Sequence, residues 1–222
     1  MRILRSVLAI FCIATSVAAA QDRSSKFGPS AVWQATPQFL AMAPAACKTA
    51  KSSDCLIGQM AKAGAPADAV SFSRELSKHS HGEFGIMTGY QNQAPVAFAW
   101  VNYPLRATNN YGLLLVNGKP PMVNVEDLSL LDTKTMRQSF QFQDLKNQFP
   151  RVDVFPGDRD GQTWPNSQSG PSGGTQFVVG YPLRDGCPTC SHAGFALFSW
   201  NFDAKGKFLG TTFLGMTPAP LH

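Results

Sequence analysis

The spacing of hydrophobic residues changes near Gly82 and divides the chain into two parts. Before this point, apolar residues recur at helical intervals, as in PADAVSFSRELSKHS (66–80), where they form one stripe. Thr36, followed by a proline, predicts the start of a first helix, and Asp54 predicts the start of a second. The N-terminal third is therefore predicted to be helical.

Short runs of β-forming residues follow, separated by Gly, Asn and Pro turns: EFGIMTGY, VAFAWVNY, YGLLLVNG and PMVNVEDL. One helical segment, LDTKTMRQSFQFQDLKNQF, interrupts them, and three further strands come last: QFVVGYPL, AGFALFSWNF and KFLGTTFLGM. A turn at 203–206 joins the last two strands into a hairpin. The pattern predicts an α+β fold in which N-terminal helices pack on a mainly antiparallel sheet.

Two segments are predicted to be loosely structured. Residues 21–35 form a polar tail, and residues 157–175 consist mainly of small and polar residues with little apolar surface to offset the cost of ordering. A loop of this length is usually functional or mobile, and Trp164 within it offers a ring that could stack on a sugar. The rest of 36–222 is predicted to be a single domain.

The tetrapeptide YPLR occurs twice, at 103–106 and at 181–184. Each copy ends an apolar run and precedes a loop and another apolar strand. Two related hairpin units in one sheet would explain the repeated tetrapeptide. Independent selection of the same residues at the end of a strand would explain it equally well.

The first twenty residues have the pattern of a secretory signal peptide. Arg2 and Arg5 precede an apolar stretch over 7–17, and three alanines at 18–20 offer the small residues that a signal peptidase cuts after. The apolar stretch is shorter than the roughly 20 residues of a membrane-spanning helix. We therefore expect export to the periplasm or the exterior, with no membrane span after cleavage.

Charge excludes one class of partner. Cleavage removes two arginines and no acidic residue, so the formal net charge of +5 falls by two. No basic run is present that would release counterions from a nucleic acid, so no nucleic-acid partner is expected.

Five cysteines become four once Cys12 leaves with the signal peptide. An even number in an exported chain indicates disulfides, and four cysteines allow three pairings. Proximity in sequence favours Cys47 with Cys55 and Cys187 with Cys190, while a pairing between the N-terminal helices and the C-terminal sheet stays open.

The stretch YPLRDGCPTCSHAG raises the question of redox or metal chemistry. A thioredoxin-type pair lies where a strand enters a helix, whereas Cys187 and Cys190 precede a strand-like run. Haem attachment needs a histidine directly after the second cysteine, and His192 is one position late. Zinc would need further ligands such as His79 or His81, which lack zinc-site spacing. We therefore predict a disulfide-closed loop, with no metal, no cofactor and no catalytic residue.

YPLRDGCPTC, the aromatic strand after it and NFDAKGKFLG resemble a family of secreted bacterial proteins. The likeness extends upstream through NYPLRATNNYGLLLVNG and FPGDRDG and covers about residues 66–215. It implies export but no named activity. A small stapled loop beside His192 is also similar in shape to the loops of periplasmic lysozyme inhibitors, although their loop motif is absent.

The favoured function is that of an exported, non-enzymatic binding protein whose contact surface is the stapled loop at 184–192. Arg184, Asp185 and His192 are the predicted polar contacts, with Trp164 as a further candidate. The expected partner is a protein or small ligand of the cell envelope. The alternatives are a thiol-redox or metal-binding factor that uses Cys187 and Cys190, and an inhibitor of a periplasmic or extracellular enzyme.

Overall fold

A computed structural model describes residues 26–47, 53–107, 110–157, 165–170 and 173–218. Within these ranges the chain forms five α-helices and two antiparallel sheets, so the predicted α+β fold is confirmed. The predicted signal peptide and Trp164 lie outside the described residues. No helix in these ranges is long and apolar enough to cross a membrane.

Three helices form the N-terminal layer: α1 (Pro37–Ala46), α2 (Ser53–Lys62) and α3 (Ala67–His79). Helix α1 begins as the sequence predicts, because the Thr36 hydroxyl accepts a hydrogen bond from the Phe39 amide at 3.2 Å. Each of the three helices contributes buried residues to one hydrophobic cluster, which also includes Phe84 and Ile86. Phe72 and Leu76 of α3 pack instead in a second cluster with the first sheet.

The first sheet, sheet 1, consists of β1 (Ile86–Gln93), β2 (Val96–Asn102), β3 (Tyr111–Val116) and β4 (Met122–Asn124). The strands pair antiparallel in chain order. Both faces of the sheet are apolar, which explains the continuous hydrophobic run VAFAWV. One face packs against α3 and the other against the second sheet.

The second sheet, sheet 2, contains five strands, namely β5 (Val152–Val154), β6 (Asn166–Ser169), β7 (Thr175–Asp185), β8 (His192–Phe202) and β9 (Phe208–Pro218). Strands β7, β8 and β9 form an antiparallel meander, and both β5 and β6 pair with the remaining edge of β7. A continuous core joins the two sheets, and its rings include Phe98 and Phe177, whose centroids lie 4.7 Å apart in an edge-to-face arrangement.

The inserted helical segment is broken into two helices where the sequence predicts one: α4 (Thr133–Gln138) and α5 (Phe140–Gln148). Ser139 between them has an extended backbone, and its hydroxyl caps α5 by accepting from the Phe142 amide at 3.2 Å. The same hydroxyl donates to the Met136 carbonyl at the end of α4. A serine that satisfies both helix ends explains the break.

Two segments that the sequence predicts as loose contain ordered structure. Phe27 of the predicted tail is buried against Phe72 of α3, and the Trp33 amide donates to the Met87 carbonyl of β1 at 2.9 Å. Within 157–175, the exposed strand β6 pairs with β7. The mobility predicted for the rest of that loop stays a prediction, since 158–164 and 171–172 lie outside the described residues.

The first YPLR copy adjoins sheet 1 and the second belongs to sheet 2, so of the two explanations left open by the sequence, two hairpin units in one sheet does not hold. The first copy directly follows β2 of sheet 1, and the second lies within β7 of sheet 2. The segment between the copies contains α4 and α5, which pack against β9.

Candidate functional site

The stapled loop lies at the tip of the β7–β8 hairpin and spans residues 184–192. The structure contains a disulfide between Cys187 and Cys190 and another between Cys47 and Cys55, so both local pairings are confirmed. The second disulfide joins the end of α1 to α2 and is not part of the loop.

Backbone hydrogen bonds order the loop in addition to the disulfide. The Cys190 amide donates to the Cys187 carbonyl at 3.1 Å, and the Asp185 amide donates to the Ser191 carbonyl at 3.1 Å. Gly186 has a φ of 89°, a conformation that favours glycine and lets the chain leave β7 sharply. The loop is therefore a closed turn of defined shape.

Arg184 holds the loop from within. Its guanidinium donates to the Cys190 carbonyl at 3.3 Å and so bridges the end of β7 to the second cysteine of the staple. The residue is half-buried.

Asp185 fastens the loop to the neighbouring strand. One carboxylate oxygen accepts from the Arg151 backbone amide at 2.8 Å, and the other lies 3.8 Å from the Arg151 guanidinium. Arg151 directly precedes β5, so this pair links the loop to the edge of sheet 2. The side chain of Asp185 is 22% exposed and that of Arg151 is 75% exposed, so the arginine is the more accessible partner.

His192 begins β8 and pairs in register with Arg184. Its ring meets the ring of Phe195 edge-to-face, with the centroids 4.6 Å apart. The histidine is half-buried, and its contact with Phe195 fixes the orientation of the ring. Three of the four predicted contact residues are thus together at one end of sheet 2, and the fourth, Trp164, lies outside the described residues.

The tip of the loop contributes the exposed surface. Gly186, Pro188, Thr189 and Ser191 are all exposed, and the Thr189 hydroxyl lies 3.6 Å from the Cys187 sulfur. A projecting turn with a proline and two hydroxyls combines apolar and polar contact area on a shape that is already ordered.

Sequence reasoning missed two arginines that flank the loop. Arg151 pairs with Asp185, and Arg137 of α4 pairs with Asp153 of β5 at 3.1 Å. Asp153 in turn stands opposite Arg184 in the β5–β7 register. Both arginines are far from the loop in the sequence, so no local pattern connects them with it. The pairing of β5 with β7 brings them close to the loop.

Both cysteines of the loop are bonded to each other, and the loop leads from strand to strand. The arrangement therefore lacks the helix N-terminus that lowers a thiol pKa in thioredoxin-type centres. Among the described residues, no group of three or more His, Cys, Asp or Glu side chains could hold a metal ion. The polar and apolar groups that the loop presents are the Arg184 guanidinium, two hydroxyls and a proline ring.

Two depressions lie elsewhere on the molecule. A groove of about 420 Å³ between α1 and α2 is lined by Phe39, Met42 and Lys62, among others. A smaller one of about 190 Å³ lies beside Thr88 and Tyr111. Neither is lined by a residue of the stapled loop.

No protein-family model matches the chain, and no curated protein or solved structure matches it either. The resemblance to secreted bacterial proteins drawn from the sequence therefore stays a prediction.

Proposed function

We propose that the protein is an exported, non-enzymatic binding protein whose stapled loop inserts into a partner protein of the cell envelope or exterior. The single observation that carries this proposal is the contrast within the loop. Its base is held by a disulfide and by the hydrogen bonds of Arg184 and Asp185, whereas its tip at Pro188 and Thr189 is exposed.

Preorganisation supports binding, because a loop ordered before contact loses less conformational entropy when it binds. The disulfide and the links to Arg151 restrict the backbone of the loop on both sides. A convex, ordered turn fits into the cleft of another protein, which is also the geometry that an enzyme inhibitor would need.

The charges around the loop indicate the character of the partner. Three arginines, Arg137, Arg151 and Arg184, surround the loop base, with two aspartates to balance them. Arg151 and Arg137 have side chains that are 75% and 53% exposed, so positive charge is accessible at the rim. We therefore expect the partner surface to be acidic around an uncharged pocket.

Two disulfides fit an exported protein, since such bonds persist in oxidising compartments and are rare in the cytosol. Export itself remains part of the proposal, and cleavage after residue 20 should be visible in the mass of the mature protein.

Site-specific photocrosslinking in the producing cell tests the proposal. A photoreactive residue replaces Thr189 at the tip of the stapled loop, and the matched control places it at Lys205, in the exposed turn at the opposite end of β8. We expect the Thr189 position to capture one defined protein and the Lys205 position to capture none.

The captured protein is then purified and its affinity is measured against the wild type and an Arg151→Ala variant. Loss of a rim arginine should slow association and weaken its salt dependence. Equal crosslinking at both positions, or none at Thr189, would show that the contact surface lies elsewhere.

A further inference from the structure

Most sheet edges in the described part of the molecule are short or covered. The outer edge of β1 receives the Trp33 amide on the Met87 carbonyl at 2.9 Å and the Gln34 side chain on the Thr88 carbonyl at 2.8 Å. Strand β4 has only three residues, and β5 and β6 share the edge of β7. Unpaired strand edges invite pairing with other chains, and these features prevent it.

Strand β9 differs, because it is eleven residues long and, among the described strands, pairs only with β8. At its start, the Phe208 amide donates to the Lys119 carbonyl at 2.9 Å. Beyond that residue, the part of the chain that the structure describes provides backbone hydrogen bonds to β9 only from β8. The remaining edge, 209–218, has no charged residue, although charged side chains are a common protection of edge strands.

The tripeptide FLG occurs twice in β9, five residues apart, and the leucine of each copy lies at a β-bulge. The sequence FLGTTFLG contains FLG at 208–210 and again at 213–215. In the β8–β9 register, Leu209 and Leu214 are the two residues skipped, so each is the extra residue of a bulge. Both are exposed, at 61% and 48%, whereas the phenylalanine before each packs against the core.

Two more exposed hydrophobic residues flank the same strand. The Leu130 carbonyl accepts a hydrogen bond from the Thr211 hydroxyl at 2.7 Å, which places Leu130 beside β9. Phe140 is 84% exposed at the start of α5, a helix that packs on β9. Four of the six large hydrophobic residues that are exposed in the described ranges thus lie on β9 or on the segment packed against it.

We propose that β9 pairs antiparallel with β9 of a second copy of this chain, which joins the two copies of sheet 2 into one continuous sheet. A two-fold axis between Thr211 and Thr212 sets Leu209 opposite Leu214 of the partner subunit and repeats the same contact on the other side. The FLG repeat is therefore self-complementary, and an uncharged strand meets its own copy without repulsion.

A second copy is a better partner for this edge than an unrelated strand. Two-fold symmetry brings the same four exposed hydrophobic residues of each copy to the interface. The pairing buries backbone donors and acceptors together with exposed apolar surface, and it closes after two copies. It is independent of the stapled loop, which lies between β7 and β8.

Sedimentation velocity and light scattering test the dimer on the mature chain from about 1 to about 100 µM, a range that brackets a moderate affinity. We expect the wild type to shift from monomer to dimer as concentration rises. Leu209→Lys and Leu214→Lys each place a charge at the paired edge and should weaken association at least about tenfold. Leu105→Lys is the matched control, since Leu105 is 56% exposed but lies beside sheet 1.

Hydrogen exchange of the wild type provides a measurement that needs no variant. Amides within 209–214 should gain protection as concentration rises, and amides of the exposed strand β6 should not. A wild type that stays monomeric at about 100 µM overturns the proposal. So does a Leu105→Lys variant that weakens association as much as Leu209→Lys, and so does a dimer without added protection in β9.

Discussion

The two YPLR copies have the same four residues and opposite environments. In the first copy, β2 has ended and the tetrapeptide forms a turn, closed by the Arg106 amide donating to the Tyr103 carbonyl at 3.1 Å. In the second copy, all four residues belong to β7 and Leu183 is fully buried. The same sequence thus ends one strand and continues another.

The arginines differ as much as the backbone does. Arg106 donates to Glu83 at 2.6 Å and to Glu126 at 2.8 Å, and its guanidinium lies 3.7 Å from the centre of the Tyr103 ring. Arg184 has a neutral partner, the Cys190 carbonyl. Burial alone would lower the pKa of Arg106, but its hydrogen bonds to the two carboxylates outweigh burial and raise it.

Tyr181 of the second copy and Arg106 of the first copy bind neighbouring residues, Val125 and Glu126. The Tyr181 hydroxyl donates to the Val125 carbonyl at 2.7 Å and accepts from the Trp200 indole at 3.0 Å. The next residue, Glu126, binds Arg106 of the first copy. The dipeptide Val125–Glu126 therefore binds one residue from each YPLR copy. Long-range partners, and not the tetrapeptide itself, therefore decide what each copy does.

Substitution of the two leucines should show the largest difference in stability between the YPLR copies. Leu183→Ala removes a fully buried side chain from the core between the sheets and should lower the free energy of unfolding by about 2–5 kcal/mol. Leu105→Ala truncates an exposed side chain and should change it by less than about 0.5 kcal/mol. Chemical denaturation of both variants measures the contrast, and equal losses would mean that the copies are structurally equivalent.

The buried tyrosine should show the next largest effect. Tyr181→Phe keeps the ring but leaves the Trp200 indole donor and the Val125 carbonyl without their shared partner. Because both groups are buried, the free energy of unfolding should fall by about 1–3 kcal/mol. Thermal unfolding together with Trp fluorescence checks this, and a variant as stable as the wild type would rule out the bridge.

The arginines should differ least in stability between the two copies, and their difference should depend on pH. Arg106→Met removes the charged partner of Glu126 and should cost about 1–3 kcal/mol at neutral pH, against about 0.5–1.5 kcal/mol for Arg184→Met. Burial raises the pKa of Glu126, and Arg106 opposes that rise. Without Arg106 the pKa of Glu126 rises further.

A carboxyl group whose pKa is raised by folding binds its proton more tightly in the native state, so its contribution to stability falls as pH rises above about 4.3. The loss caused by Arg106→Met should therefore grow from acidic to neutral pH, while the loss caused by Arg184→Met stays level. Urea titrations at several pH values measure both slopes. Parallel profiles for the two variants would contradict the pairing of Arg106 with Glu126.

Local chemistry in the sequence predicted much of the fold correctly. The cap at Thr36, the apolar stripe of α3, the turn at 203–206 and the two local disulfides all follow from neighbouring residues. The composition around Cys187 and Cys190 also predicted a stapled hairpin loop between two strands. Short-range steric and hydrogen-bonding preferences are sufficient for such features.

The split of the predicted helix at Ser139 was missed because helical periodicity continues across it and only the capping geometry reveals the break. The arginines around the stapled loop were missed because sequence distance hides strand pairing. Likewise, nothing within YPLR distinguishes its two copies.

The amino-acid order is enough to predict the helical N-terminal third, the runs of strands, the two disulfides and the residues at the hairpin tip. Each of these depends on side chains that are close together in the chain. Long-range packing is what arranges the strands in two sheets, buries Leu183 while Leu105 is exposed, and leaves β9 paired only with β8 among the described strands. Those outcomes depend on which distant surfaces exclude water from one another, and a local pattern does not contain that information.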